Sequence, residues 1–113
     1  MKEGIFVIKP NSFAMDWELF TNPRYKDMSN LAKLIYSVYQ DYQKYGNNSF
    51  ADEYGMYILY PNEEVRNLLN VAERTVTKAR KELADAGLIE VVRNGIADYR
   101  IYLTPVSIAG MFG

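Results

Sequence analysis

Three observations predict that this chain of 113 residues folds as one α+β domain that is mainly helical. The first is an apolar stripe at helical spacing over residues 29–45. The second is a pair of shorter amphipathic segments joined by Asn70-Val71. The third is Asn94-Gly95 between two β-rich runs, which predicts a type I′ hairpin because both turn residues need positive φ. This order of elements is that of a winged helix-turn-helix with a C-terminal β-hairpin wing.

The composition excludes several kinds of chemistry. Without Cys or His, the chain has no disulfide, thiolate zinc site, imidazole base or histidine metal ligand. It has neither a P-loop Gly-Lys pair nor a G-x-G-x-x-G motif. A tyrosine nucleophile would need a metal or a cluster of activating cations, and no such group stands out. We therefore expect a protein that is not an enzyme and uses no cofactor or metal.

The first predicted helical turn, over residues 16–20, follows an N-terminal extension or short strand over residues 1–15. The apolar run at residues 5–8 is too short for a signal peptide or a membrane span, so we expect a cytoplasmic location. The turn ends at Asn22-Pro23. Trp17 and Phe20 are expected to pack it onto the core.

The long helix is predicted to begin after Ser29, whose hydroxyl can accept a hydrogen bond from the first turn. Tyr36 and Tyr39 lie beside its apolar stripe, where they could cover a dimer interface, since Tyr is favoured there. Stacking on nucleic-acid bases is the alternative for any exposed Tyr. The stripe itself, expected in the core, consists of Leu31, Ile35, Val38, Tyr42 and Tyr45.

Residues 46–55 are predicted to form a surface loop, followed by a short strand over residues 56–60. A compact helix over residues 62–69 then presents Val65, Leu68 and Leu69 to the core. The next helix, over residues 72–86, ends at Gly87. Its buried stripe, spaced 3, 4 and 3, consists of Val76, Ala79, Leu83 and Ala86.

The predicted wing has strands over residues 88–93 and 96–103, and Pro105 ends the second. The winged-helix domain thus spans residues 16–104, and residues 105–113 form a tail with no predicted element. The net charge of −1 excludes a polycation that coats nucleic acid, but it leaves a local basic face possible.

The second helix of the pair has a basic outward face, on the side opposite its buried stripe. Lys and Arg there can neutralise phosphates and donate to guanine, and Thr hydroxyls can bind phosphate or base edges. Arg80 lies at the margin, where its stem can cover the core while its charge extends outward. The wing adds Arg93 beside the turn. The candidate DNA-binding residues are therefore Arg74, Thr75, Thr77, Lys78, Lys81, Arg93 and Asn94.

The alternative interpretation of this face is ordinary solvated surface. Glu73, Glu82 and Asp85 lie nearby, and Lys78 with Glu82 could form an i,i+4 pair. The tight turn between the helices and the Asn-Gly wing favour DNA binding over that alternative.

The segment over residues 19–36 resembles a known family. Its pattern N-P-x-Y-K-x-x-S-N-x-A-K-L-x-Y, with Met28 in place of a Leu, is similar to the N-terminal domain of the RepA-type plasmid replication initiators of Gram-positive bacteria. Residues 57–60, 63–65 and 81–90 also match, so the resemblance covers about residues 16–103. Two departures are Pro61 and Ala72, which stand where the family often has hydroxyl N-caps.

The resemblance implies double-stranded DNA as the partner, bound at repeated or palindromic sites of a plasmid origin by a homodimer. It also implies that the second helix and the wing make the DNA contacts. Longer family members have a C-terminal domain thought to engage host replication proteins, so we expect this chain to be a fragment or a stand-alone relative. Two other functions stay open: a winged-helix transcriptional repressor, or a protein-interaction module of a primosome-like assembly.

Overall fold

The computed structural model describes residues 12–45, 49–93, 95 and 99–109. Six helices and four strands lie in this described part of the chain. Their order is α1 (Glu18–Thr21), α2 (Pro23–Lys26), α3 (Asn30–Tyr45), β1 (Ser49–Asp52), β2 (Gly55–Ile58), α4 (Asn62–Leu69), α5 (Glu73–Asp85), β3 (Ile89–Arg93), β4 (Tyr99–Leu103) and α6 (Val106–Ala109).

The predicted winged helix-turn-helix is confirmed. Helices α4 and α5 are joined by a tight turn in which Asn70 adopts the left-handed conformation, with φ 56° and ψ 53°. Helix α5 ends before Gly87, whose φ of 80° is the positive value expected after a helix C-terminus. Strands β3 and β4 then pair as the antiparallel wing, from Ile89 opposite Leu103 to Arg93 opposite Tyr99.

The wing belongs to a larger antiparallel sheet with the strand order β1-β2-β4-β3. Strand β2 pairs with β4 at Ile58 opposite Ile101, and both side chains are buried. Helices α3 and α5 pack on this sheet, and α4 packs on α5. The core they enclose contains Ile35, Val65, Val76, Ala79, Leu83, Leu88, Ile89 and Ile101.

Helix α3 buries most of the predicted stripe, but its most buried face is shifted to one side of it. Tyr36 and Tyr39, expected to cover a dimer interface, are both 0% exposed, whereas Tyr45 of the expected stripe is 53% exposed. The reason is that the C-terminal segment covers α3 as well: the Tyr36 hydroxyl donates a hydrogen bond to the backbone carbonyl of Thr104. The assignment of these two tyrosines to a dimer interface is therefore wrong, because they lie in the core.

Two further predictions about aromatic and terminal residues are corrected. Trp17 and Phe20, both expected to pack on the core, are 79% and 36% exposed, and it is Leu19 of α1 that is buried in the core. The segment after Pro105 contains α6, where no element was predicted. Val106 of α6 is buried, and its carbonyl accepts a hydrogen bond of 2.9 Å from the buried Tyr25 hydroxyl.

The predicted loop over residues 46–55 contains most of a β-hairpin. Strands β1 and β2 pair in register from Ser49 opposite Ile58 to Asp52 opposite Gly55. An Asx-type contact makes the turn, since the Asp52 carboxylate accepts from the Tyr54 backbone N–H at 2.7 Å. The hairpin was not predicted because its polar turn residues are typical of a surface loop. The apolar run at residues 5–8, within the expected N-terminal extension or short strand, and the turn residue Asn94 lie outside the described residues.

Candidate nucleic-acid interface

The candidate interface consists of the outward side of α5 together with the wing. Val76, Ala79 and Leu83 face the core and are at most 1% exposed. The opposite side of the helix carries the predicted residues Arg74, Thr75, Thr77, Lys78 and Lys81, all of which are exposed. A continuous exposed surface thus contains five of the seven candidates.

Two rows of side chains run along this side of α5, at the i,i+4 spacing that places residues on one face. Thr77 and Lys81 form one row and line a groove of about 340 Å³ between α5 and the wing residue Val91. Arg74 and Lys78 form the other row, and Glu82 continues it toward α3. The exposed side of α5 therefore lies between the wing and the start of α3.

The Arg80 side chain contacts another helix of the protein instead of extending fully into solvent. It is half-buried, and its Nη1 donates a hydrogen bond to the side-chain oxygen of Asn62 at the start of α4. This contact joins the two helices of the helix-turn-helix. Arg80 therefore helps to fix the angle at which α5 is presented.

Glu82 does not form the pair predicted with Lys78. Its two carboxylate oxygens accept hydrogen bonds from the backbone N–H and the hydroxyl of Ser29, each 2.8 Å long. The Ser29 hydroxyl in turn accepts from the Ala32 N–H at 3.1 Å, which confirms Ser29 as the N-cap of α3. Lys78 is left facing outward, and α5 is tied to the start of α3.

The two arginines of the wing, Arg93 and Arg100, differ in exposure and in hydrogen-bond partners. Arg93 is exposed, and its Nε donates to the Gly95 carbonyl at 2.9 Å while its guanidinium lies 5.5 Å from the ring centre of Tyr99. Arg100 lies within the sheet, where Nη1 donates to an Asp52 oxygen at 2.7 Å. Arg93 is accordingly the wing cation at the edge of the surface, and Arg100 supports the sheet.

The contact between Arg100 and Asp52 belongs to a small polar cluster that joins β1 to β4. The Tyr102 hydroxyl donates to the same Asp52 oxygen. These hydrogen bonds, that from Tyr102 foremost and then those from the Tyr54 N–H and from Arg100, hold the pKa of the Asp52 carboxyl below its usual value. The cluster fixes the first hairpin against the wing.

Two charged pairs at this surface were missed in the sequence: Lys81 with Asp85, 3.0 Å apart within α5, and a pair that joins α5 to α4. Arg66 of α4 and Glu73 of α5 approach to 3.6 Å, between Nη1 and Oε1, with their side chains 41% and 70% exposed. They are seven positions apart and meet only because the Asn70 turn reverses the chain between them. Opposite charges on either side of a predicted tight turn are the signal that could have indicated this pair.

Within the described ranges, no group of acidic side chains is arranged to hold a metal ion. Of the helices that the structure describes, none is both long and apolar enough to cross a membrane.

Comparisons with known proteins agree with this architecture. A family model described as "Replication initiator protein A (RepA) N-terminus" matches residues 12–109. A "41 kDa protein" of Lactobacillus helveticus is 28% identical over 79 residues, which cover 68% of this chain and 22% of that protein. The chain thus spans about a fifth of the length of this curated relative.

Solved structures are similar over most of the chain. One described as "N-Terminal domain of DNA binding protein" has a TM-score of 0.72 and 30% identity, covering 83% of this chain and 74% of that one. Another, described as "Structure of Rep-DNA complex", has a TM-score of 0.70 and 31% identity, covering 83% and 75%. Since the family model covers nearly all described residues, this chain belongs to the family of replication initiator protein A N-terminal domains.

Proposed function

We propose that this chain is a sequence-specific, double-stranded DNA-binding domain that serves plasmid replication initiation at repeated origin sites. The observation that carries the proposal is the exposed side of α5. From Arg74 to Lys81 it carries three exposed basic residues, Arg74, Lys78 and Lys81, and no acidic one, and it lies beside the wing. Family membership and the similarity to a structure described as a Rep–DNA complex support this use of the surface.

In the proposed mechanism, α5 enters the major groove, as the second helix of such motifs does. Arg74 and Lys78 lie in the row nearer α3, and Lys81 lies in the row nearer the wing. Cations on both sides can therefore contact the two phosphate backbones that border the groove, which fixes the register of the helix. The Thr75 and Thr77 hydroxyls supply donors and acceptors for base edges or phosphates.

The near-zero net charge predicts weak binding to unrelated DNA, so we propose a homodimer on repeated or palindromic sites. Because Tyr36 and Tyr39 are buried, another surface must form the dimer contact. A cytoplasmic location, the absence of catalysis and an engagement of host replication proteins by additional sequence are parts of the same proposal.

The test is the salt dependence of binding to a duplex selected from random DNA. For the double variant Lys78→Ala/Lys81→Ala, the slope of log affinity against log salt should flatten by about 1.8, the value for two lost phosphate contacts. Lys44→Ala, which removes one positive charge at the far end of α3, is the control and should leave the slope unchanged. An unchanged affinity and slope in the double variant would refute the mechanism.

The selected sequences also separate initiation from the alternatives. Direct repeats that match an origin array support initiation, and a single inverted repeat over a promoter supports a repressor. Enrichment of no duplex would indicate a protein-interaction module and would overturn DNA binding altogether.

A further inference from the structure

We propose that Glu73 is a specificity-determining residue that reads cytosine, and that Arg66 is the residue that positions it. This inference rests on the proposed DNA binding and adds to it the identity of one base. Along the chain, the pair precedes the cations Arg74, Lys78 and Lys81, which carry the general affinity. Its geometry, and not its charge alone, points to this role.

The position of Glu73 is that of a base-reading residue. It is the first residue of α5, and the N-terminal residues of a recognition helix are those that meet base edges in the major groove. Its side chain is 70% exposed. It lies one turn before Thr77 and two turns before Lys81, and these two later residues line the groove beside the wing.

The chemistry of a carboxylate at this place selects among bases. A carboxylate only accepts hydrogen bonds, and it is repelled by phosphates and by the acceptor atoms of guanine. Cytosine N4 is the donor in the major groove that Glu and Asp contact, whereas the donor of adenine stands beside the N7 acceptor and suits an amide. Glu73 is therefore expected to favour a C·G pair at one position and to weaken binding to other pairs.

Arg66 is placed to hold this carboxylate. It approaches Glu73 from α4, with 3.6 Å between Nη1 and Oε1, across a turn that is itself fixed. The Arg66 carbonyl accepts hydrogen bonds from the backbone N–H groups of Asn70 and Val71, so the backbone of Arg66 is part of the turn that begins α5. The guanidinium restricts the carboxylate and offsets its repulsion of nearby phosphates, while one carboxylate oxygen stays available for a base.

The experiment compares base preferences rather than affinity alone. Purified wild type, Glu73→Gln, Arg66→Met and the control Glu63→Gln are each taken through selection from random duplexes, followed by titration of single-base variants of the selected site. Glu63 suits the control because it is an exposed acid in the first turn of α4. The wild type should prefer cytosine at one position by about five- to hundredfold.

Glu73→Gln should lose that preference or change it to adenine, while preferences at the other positions stay as they are. Arg66→Met should broaden the preference at the same position. A purely phosphate-binding Arg66 would instead weaken all sites equally and reduce the salt slope by about one contact. Glu63→Gln should match the wild type.

Identical base preferences in the wild type and in Glu73→Gln overturn the role of Glu73, although DNA binding then stands. A uniform loss of affinity in Arg66→Met, with the cytosine preference intact, overturns the positioning role. If the wild type selects no duplex, the proposed function fails and this inference fails with it.

Discussion

The contact between Glu82 and Ser29 should couple the stability of α5 to that of α3. Glu82→Ala removes two hydrogen bonds to Ser29, and Ser29→Ala removes one of these together with the cap on the Ala32 N–H. A cap contributes about 1 kcal/mol, and a hydrogen bond to a charged group in a partly exposed setting contributes about as much. Each single variant should therefore lose about 1–2 kcal/mol of unfolding free energy.

The double variant Glu82→Ala/Ser29→Ala shows whether the two residues stabilise the fold through their mutual contact or independently of each other. The bond between the Ser29 hydroxyl and Glu82 is lost in both single variants but is counted only once in the double variant. The double variant should accordingly be about 1 kcal/mol more stable than the sum of the single losses predicts. The measurement is a double-mutant cycle by urea unfolding, with thermal melting as a second reading.

Lys81 and Asp85 provide the matched control, since they form an exposed i,i+4 pair of 3.0 Å on the same helix. An exposed pair of this kind should give a coupling of at most about 0.5 kcal/mol. Strict additivity in the Glu82–Ser29 cycle, or a coupling no larger than that of the control, would refute the view that this contact joins the two helices.

Two further predictions concern buried or clustered polar groups. Tyr25→Phe should cost about 1–2 kcal/mol in urea unfolding, because it leaves a buried carbonyl of α6 without its donor, whereas Tyr39→Phe should cost almost nothing. The reason is that, among the described residues, the Tyr39 hydroxyl has no hydrogen-bond partner. Equal losses of unfolding free energy in the two variants would contradict this prediction. The hydrogen bond from the Tyr102 hydroxyl is the main cause of the lowered pKa of the Asp52 carboxyl in the folded state. The ionised carboxylate therefore stabilises the fold fully above its unfolded pKa of about 3.9. This stabilisation is lost as the pH falls through the folded pKa. The melting temperatures of wild type and Asp52→Asn, measured from pH 6 to pH 2, should differ less as the pH falls. A difference in melting temperature that stays constant over this range would contradict the lowered pKa of Asp52.

The helix-turn-helix could be predicted closely because local signals define it. Pro61 and Gly87 bracket the two helices, and the helix predicted over residues 62–69 is observed with those bounds. Helix α5 differs from its predicted range by one residue at each end. The exposure of its cations also follows from helical periodicity alone.

The remaining features depend on contacts between distant parts of the chain. The burial of Tyr36 on α3 could not be predicted, because its hydroxyl bonds to Thr104, far away in the sequence. The β1–β2 hairpin is joined to the wing by the contact of Asp52 with Arg100, 48 positions later. In the same way, Glu82 contacts Ser29, which lies 53 positions earlier in the chain. Local i,i+4 spacing instead favours a contact between Glu82 and Lys78. Local patterns therefore indicate the surface of the site but not the pairings that orient it.

The place of β4 inside the sheet has a consequence for the thermodynamics of association. A free two-stranded ribbon would lose conformational entropy when it is ordered against a partner, and that loss would reduce affinity. In this fold β2 flanks β4 on the side away from β3, and Ile101 is buried in the core. The strands that bear the wing are thus ordered before any partner arrives, so that less of the favourable interaction energy is spent on ordering them.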